Sequence, residues 1–302
     1  MIKQVYSVDV VRSPDPIGGS QPKVMRCSDG RKYVVKFPNN PQGKQVLFND
    51  AYGTLLARAL GLPAPEIAAI QVAKELIDSR PNRLAFDLGR NRIPCEAGLC
   101  FGSEVIGSFG PRAMRRHVVT SGLQRAEMVV PNLSDFGGML IFDKWTSNLD
   151  VRQVLFVGWS SQKTFRVVMI DQGHCFGGVN RRFMDLPITG VFWDRRVYAG
   201  IRGIDSFEVW LDVLENGITE SLLHQLAASI PAEWYDGNAE FLEKLVETIY
   251  ARRMKVRGLI EAVIKEGKYF GHRNFPAPYV SFHNPAPKNV ARLAEEEGIA
   301  VK

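Results

Sequence analysis

Two apolar runs at residues 154–157 and 165–170, separated by Gly158-Trp159-Ser160-Ser161-Gln162-Lys163, constrain the fold more than any other stretch of this chain. Runs this short, rich in Val and Phe and split by a polar, glycine-containing connection, predict a β-hairpin. Antiparallel pairing sets the start of the first run beside the end of the second. Asp150 precedes the first and Asp171 follows the second, so the hairpin brings two carboxylates to one edge. Asp171 leads into Gln172-Gly173 and is thereby presented on a turn at a strand end, a good place for a metal ligand. Singly, each aspartate has a plainer reading: Asp150 caps a turn after Asn148, and Asp171 is a solvated strand-end residue. Their shared edge favours a joint role.

Upstream, residues 32–37 alternate as a strand, with Tyr33, Val35 and Phe37 on one face and Val34 and Lys36 on the other. Before it come a glycine-containing connection over 17–23, a strand over 24–27 and a turn at Ser28-Asp29-Gly30. Gly18-Gly19-Ser20 fits neither the Walker A pattern nor Gly-x-Gly-x-x-Gly. Its backbone N–H groups could approach a phosphate closely, or it is an ordinary turn. Residues 45–60 have helical apolar spacing and Gly61 is a C-terminal stop. Asp50 falls near the inward side of this helix, where it either pairs with Lys36 or lies on the helix surface.

A strand over 67–72 and a loop over 80–94 follow, and an N-terminal lobe ends near Gly102-Ser103. Ser134 is placed to cap a helix that buries Phe136, Met139, Leu140 and Ile141. The last third predicts helices over 207–214, 221–229 and 241–264, after which Pro276, Pro278, Pro285 and Pro287 break regular structure. No internal repeat or low-complexity segment is present.

At 302 residues, with 45% apolar and 23% charged residues, the chain has the balance of a folded protein of about two lobes. The division expected is a β-rich lobe over 1–102, a mainly helical lobe over 103–270 and a proline-containing extension over 271–302. The net charge is +6 and the arginine clusters are scattered along the chain, which favours a solvated face over nucleic-acid binding. The N-terminal residues lack the apolar core of a signal peptide, and no run of about 18 apolar residues could span a bilayer, so a soluble cytoplasmic protein without a membrane partner is expected. Of the four cysteines, only Cys95 and Cys100 lie close together, and no zinc pattern completes them. Buried free thiols are expected.

Phosphoryl transfer needs cations on the nucleotide phosphates and a carboxylate that orients or deprotonates the acceptor hydroxyl. Lys36, Asp171 and Asp150 are of the required types. Moreover, Gly18 to Pro22, Tyr33-Val34-Val35-Lys36-Phe37, Asp143-Lys144-Trp145-Thr146, the Asn148-Leu149-Asp150 turn and Ile170-Asp171-Gln172-Gly173 together resemble the compact bacterial branch of the HipA-like kinases. Similar later elements are Ile230-Pro231-Ala232-Glu233-Trp234 and the helix with Arg252-Arg253. The resemblance runs over roughly residues 15–265.

What the resemblance implies is an α+β, two-lobed protein-kinase-like fold that uses ATP and Mg²⁺ and transfers the γ-phosphoryl group to a hydroxyl, usually Ser or Thr of a protein acceptor. Under it Asp150 is the catalytic aspartate, Lys36 the phosphate-binding lysine and Asp171 the Mg²⁺ ligand. Phe101-Gly102-Ser103 is the hinge whose backbone faces adenine, and Gly18, Gly19, Ser20 and Asp50 remain candidate nucleotide-binding residues. Two departures stand out. Leu155 occupies the place of the usual metal-binding Asn, leaving Gln153 as the nearest amide ligand, and Asp50 replaces the usual Glu partner of the lysine. These departures keep open a catalytically weak nucleotide-binding pseudokinase or scaffold, and a further alternative transfers the nucleotidyl group instead.

Overall fold

The computed structural model describes residues 2–12, 19–106, 117–120, 129–159 and 164–267. Five strands, β1 (Lys3–Arg12), β2 (Lys23–Cys27), β3 (Lys32–Lys36), β4 (Ile67–Val72) and β7 (Gly98–Glu104), close into a barrel in the order β1-β2-β3-β7-β4. Closure comes from parallel pairing of β1 with β4, all other ladders being antiparallel. Alternation along the strands fills the barrel: Tyr33, Val35 and Phe37 join Ala68, Ile70, Val72 and Cys100 in one apolar core. The opposite faces of β4 and β7, with Ile67, Ala69 and Phe101, belong to a second and larger core.

That larger core begins with α1 (Gln45–Ala59), whose buried residues run nearly all the way round, from Val46 to Ala57. A helix apolar on every side needs neighbours on every side. Here β7 lies on one flank and α3 (Asp135–Thr146) and α5 (Glu220–Ala228) on the other. The Tyr52 hydroxyl of α1 donates to Leu223 O of α5 at 3.2 Å, and beside it the Trp234 indole donates to Leu99 O of β7 at 2.9 Å. The remaining helices are α2 (Lys74–Ser79), α4 (Glu208–Asp212), α6 (Ala239–Arg252) and α7 (Val256–Glu266). A second sheet, in the order β10-β9-β8, joins β8 (His117–Thr120), β9 (Gln153–Trp159) and β10 (Phe165–Ile170). Its β9–β10 ladder pairs Gln153 with Ile170, the hairpin expected from the two apolar runs.

Several expectations need correction. Residues 80–94 are not a loop throughout: β5 (Ala85–Leu88) and β6 (Asn91–Pro94) form a two-stranded ribbon. Only Ala85 and Phe86 of the ribbon are buried, which leaves little apolar alternation to read. Ser134 makes no side-chain cap. Instead Asn132 clamps the helix start, donating to Asp135 Oδ2 at 2.8 Å and pairing through its amide with both backbone groups of Val167. The single helix over 241–264 is broken by a 3-10 turn at Arg253–Lys255. The Trp145 indole donates to Ile249 O at 2.8 Å, engaging the carbonyl that an unbroken helix would pair with the amide of Arg253. Residues 271–302 lie outside the described residues. All four cysteines are free and buried. Among the described residues no helix is long and apolar enough to cross a membrane.

Candidate active site

The end of β3 delivers Lys36 to the face opposite the barrel interior, against α1. Its ammonium donates to Asp50 Oδ2 at 2.7 Å and to Asp171 Oδ1 at 2.8 Å. Only 6% of Lys36 is exposed, and 2% of Asp50. Burial alone would strip the charge from Lys36, but Asp171 and Asp50 outweigh it and hold the amine protonated well above its ordinary range. Burial likewise opposes the charge on Asp171, and Lys36 overrides it, so this carboxyl stays below its usual value. Asp50, shut further from water and facing Asp171, is pushed upward.

Asp171 directly follows β10 with a positive φ of 58°, a conformation costly for most non-glycine residues and frequent at strained functional turns. α1 holds this turn. The amide of Gln172 donates to Asp50 Oδ1 at 2.8 Å, and Asn49 Nδ2 donates to the carbonyls of Gly173 and Cys175 at 2.9 and 3.1 Å. Gly53 permits the approach, since a Cβ there would stand 2.7 Å from Gln172 Cβ. The same helix thus supplies the lysine's partner and the seat of the Asp171 turn.

Asp150 stands on the turn between α3 and β9, where its carboxylate Oδ1 accepts from Val151 N at 2.7 Å. The turn is held from below by Asp143 of α3. Asn148 Nδ2 donates to Asp143 Oδ1 at 2.9 Å, while Arg152 grips both Asp143 oxygens, through Nε at 3.0 Å and through Nη2. Arg152 Nη1 continues to Ile170 O at 3.0 Å and to Gln172 Oε1 at 2.7 Å. Both side chains of the Asp143–Arg152 pair are fully buried. Burial pulls the guanidinium toward neutrality, and the Asp143 carboxylate more than restores its charge. This pair ties the Asp150 turn to the Asp171 turn. Its sequence signal is a charged Asp143-Lys144 step inside a helix whose other faces are all apolar.

Gln153, first residue of β9, closes the circuit. Its Nε2 donates to Asp150 Oδ2 at 3.3 Å and to Asp171 Oδ2 at 3.2 Å. Lys36, Asp50, Asp171, Gln153 and Asp150 therefore form one continuous hydrogen-bonded chain. Among the described residues no group of three or more His, Cys, Asp or Glu could hold a metal ion unaided. Asp171 with the Gln153 amide offers one carboxylate and, with that amide turned, one neutral oxygen. Such a set suits a hard cation that completes its shell with water and phosphate oxygens. Leu155, where a metal-binding Asn is usual, is 8% exposed and belongs to the core.

Of the glycine connection, Gly18 lies outside the described residues. Gly19 rests against the Gln42 side chain, whose amide meets His174 Nε2 at 3.0 Å, so this loop contacts the Asp171 turn through two residues that sequence reading passed over. Ser20 is buried. Gly102 and Ser103 correct the expectation of a hinge. They lie within β7, paired to Val35 and Val34 of β3 on one side and to Ala68 and Ile67 of β4 on the other. A strand flanked on both sides spends its backbone groups on the two ladders, leaving none for adenine. The alternating burial that a central strand needs was masked by glycine at its middle.

A family model described as HipA-like kinase matches residues 8–257. Among solved structures, the Helicobacter pylori proinflammatory kinase CtkA superposes with a TM-score of 0.54 at 12% identity, over 87% of this chain and 99% of that one. The Golgi casein kinase with Mn/ADP bound gives 0.48 at 16% identity, over 88% and 74%. HipA of Shewanella oneidensis MR-1, from its complex with HipB and operator DNA, gives 0.45 at 11%, over 85% and 68%. No curated protein sequence matches the chain. The CtkA likeness shows a kinase-like fold, and the family model spans most of the chain, which therefore belongs to the HipA-like kinase family and is a phosphotransferase.

Proposed function

We propose that the protein transfers the γ-phosphoryl group of ATP, with Mg²⁺, to the hydroxyl of a serine or threonine in a protein acceptor, and that the barrel with α1 acts as a nucleotide lobe on a mainly helical lobe. The observation that carries this reading is the unbroken chain from Lys36 through Asp171 and Gln153 to Asp150. An ammonium has three N–H donors, and Asp50 and Asp171 engage two of those of Lys36, which leaves one for a nucleotide phosphate. Asp150, at the far end of the chain, is the base: its carboxylate takes the acceptor's proton as the acceptor oxygen bonds phosphorus and the bond to the bridging oxygen breaks, its electron pair leaving on ADP. Asp171 and Gln153 are the residues that would hold Mg²⁺. When bound, that ion neutralises charge on the transferring phosphate.

The test is incubation with γ-labelled ATP and Mg²⁺ in a cell extract. Asp150→Asn should reduce labelling at least ~100-fold, the scale of a lost general base. Labelling equal to wild type would remove Asp150 from this role. A second reading, nucleotide binding without turnover, draws on the orientation of Gln153, whose NH₂ rather than oxygen faces both carboxylates. Under it ATP raises the melting temperature but no phosphate is transferred. Appearance of AMP on the acceptor would instead indicate nucleotidyl transfer.

A further inference from the structure

The connection that carries Gly19 and the turn that carries Asp171 are joined through Gln42 and His174, whose amide Nε2 and ring Nε2 stand 3.0 Å apart. The reaction proposed above uses neither residue. Gln42 belongs to the turn that follows Lys36, where its N–H donates to Asn40 Oδ1 at 3.0 Å. The buried Asn40 locks that turn, its Nδ2 donating to the carbonyls of Phe37 at 2.8 Å and Gly43 at 2.9 Å. His174 stands between the two carbonyls that Asn49 grips, those of Gly173 and Cys175. Its own carbonyl accepts from Leu149 N, on the Asp150 turn, at 3.1 Å. A side chain at position 19 would collide with the Gln42 amide, so that amide lies directly against the main chain of Gly19. The connection is also fixed on its far side, where the Gln21 amide exchanges hydrogen bonds with both backbone groups of Asp87, at 2.8 and 2.9 Å.

A hydrogen bond between two partners that are each held in place sets the gap between Gly19 and the Lys36–Asp171 ion pair. Gly173, the residue before His174, borders that pair, since a Cβ there would stand 3.4 Å from Lys36 Nζ and 3.5 Å from Asp171 Oδ1. A polyphosphate brought to the third donor of Lys36 meets the carboxylates of Asp50 and Asp171 beside it, and Asp150 beyond Gln153. Its remaining oxygens therefore need neutral N–H donors, which a backbone amide at a glycine and a side-chain amide supply. We infer that His174 is a positioning residue for the phosphate end of the nucleotide: it fixes Gln42, and Gln42 fixes Gly19, at a set distance from Lys36. The inference rests on the kinase reading above and gives it two uncharged side-chain determinants of triphosphate affinity.

His174→Phe keeps a planar ring and removes its nitrogens, whereas His174→Gln sets an amide oxygen near the place of Nε2. Titration calorimetry with ATP and Mg²⁺ compares them without any acceptor. Loss of one neutral hydrogen bond corresponds to a factor of about 3–10, so His174→Phe and Gln42→Leu should each raise Kd for ATP by about that factor. The two substitutions together should add little to either alone, because they break the same bond. His174→Gln should stay within about twofold of wild type, and AMP, which lacks the β- and γ-phosphates, should bind every variant with the wild-type Kd to within about twofold. Unchanged ATP affinity in His174→Phe, equal losses in His174→Phe and His174→Gln, or ATP and AMP weakening together would overturn the inference. Absence of ATP binding by the wild-type protein would instead strike the kinase reading. Hydrogen exchange on the free protein then decides whether His174 holds the connection: amides of residues 19–21 should exchange at least about threefold faster in His174→Phe, with β9 and β10 unchanged, and unchanged exchange over 19–21 refutes the role.

Discussion

Replacing Arg152 by Met should cost this protein several kcal/mol although the substitution lies wholly inside the fold and conserves volume. In the native state Arg152 satisfies both oxygens of Asp143, the carbonyl of Ile170 and Oε1 of Gln172. Met leaves Asp143 a buried carboxylate with Asn148 as its remaining side-chain donor, and removal of one partner of a buried pair costs about 3–5 kcal/mol. At a few degrees per kcal/mol for a chain of this size, the melting temperature should fall by on the order of 10 °C. The informative companion is the double variant Asp143→Leu with Arg152→Met, which removes both charges. Because desolvation of the pair offsets much of its attraction, the double variant should regain at least half of what the single one lost, giving a favourable coupling in a double-mutant cycle. Urea denaturation followed by circular dichroism measures both. A loss below about 1 kcal/mol in Arg152→Met, or simple additivity in the double variant, would refute the view that this pair fastens the Asp150 and Asp171 turns together.

Two other outcomes are expected. Gly53→Ala places a methyl 2.7 Å from Gln172 Cβ and should cost about 1–3 kcal/mol while lowering phosphoryl transfer more than Ala substitutions at exposed helix positions do, read by melting and label incorporation in parallel. The thiols of Cys27 and Cys95 are each pushed up to about 12 by burial, so at pH 8 a disulfide-exchange reagent should find no rapidly reacting cysteine in the native protein and four in urea. Since these groups are harder to ionise folded than unfolded, the stability they lend is complete below their ordinary value near 9.0 and erodes as pH rises from there toward 12.

What was legible in the sequence followed periodicity. The β9–β10 hairpin, α1 and β3 each present a run whose apolar spacing has one interpretation, and from that spacing alone Asp150 and Asp171 came to one edge. The ribbon of β5 and β6 exposes most of its side chains, so no burial pattern was written into it. The hinge misplacement at Gly102 has a different origin, for a glycine inside a barrel strand reads as a break when it is a packing requirement. The Asp143–Arg152 pair was hidden because its members lie nine residues apart on different elements, and only the three-dimensional turn between them makes them partners. Even so, a charge buried within an apolar helix demands a counter-charge, and that demand was readable at Asp143.

The burial of α1 on every side also bears on how such an enzyme can be controlled. Swinging this helix outward to part Asp50 from Lys36 would uncover Leu47, Phe48, Tyr52 and Leu56, each worth about 1.5–3 kcal/mol when withdrawn from water. The resting and working states would then differ by something near the stability of a whole domain, too steep a step for a ligand or a single phosphate to drive. The Lys36–Asp50 pair is accordingly a permanent fixture of the fold, and any switch between idle and active protein would have to act through segments that move without breaking its core.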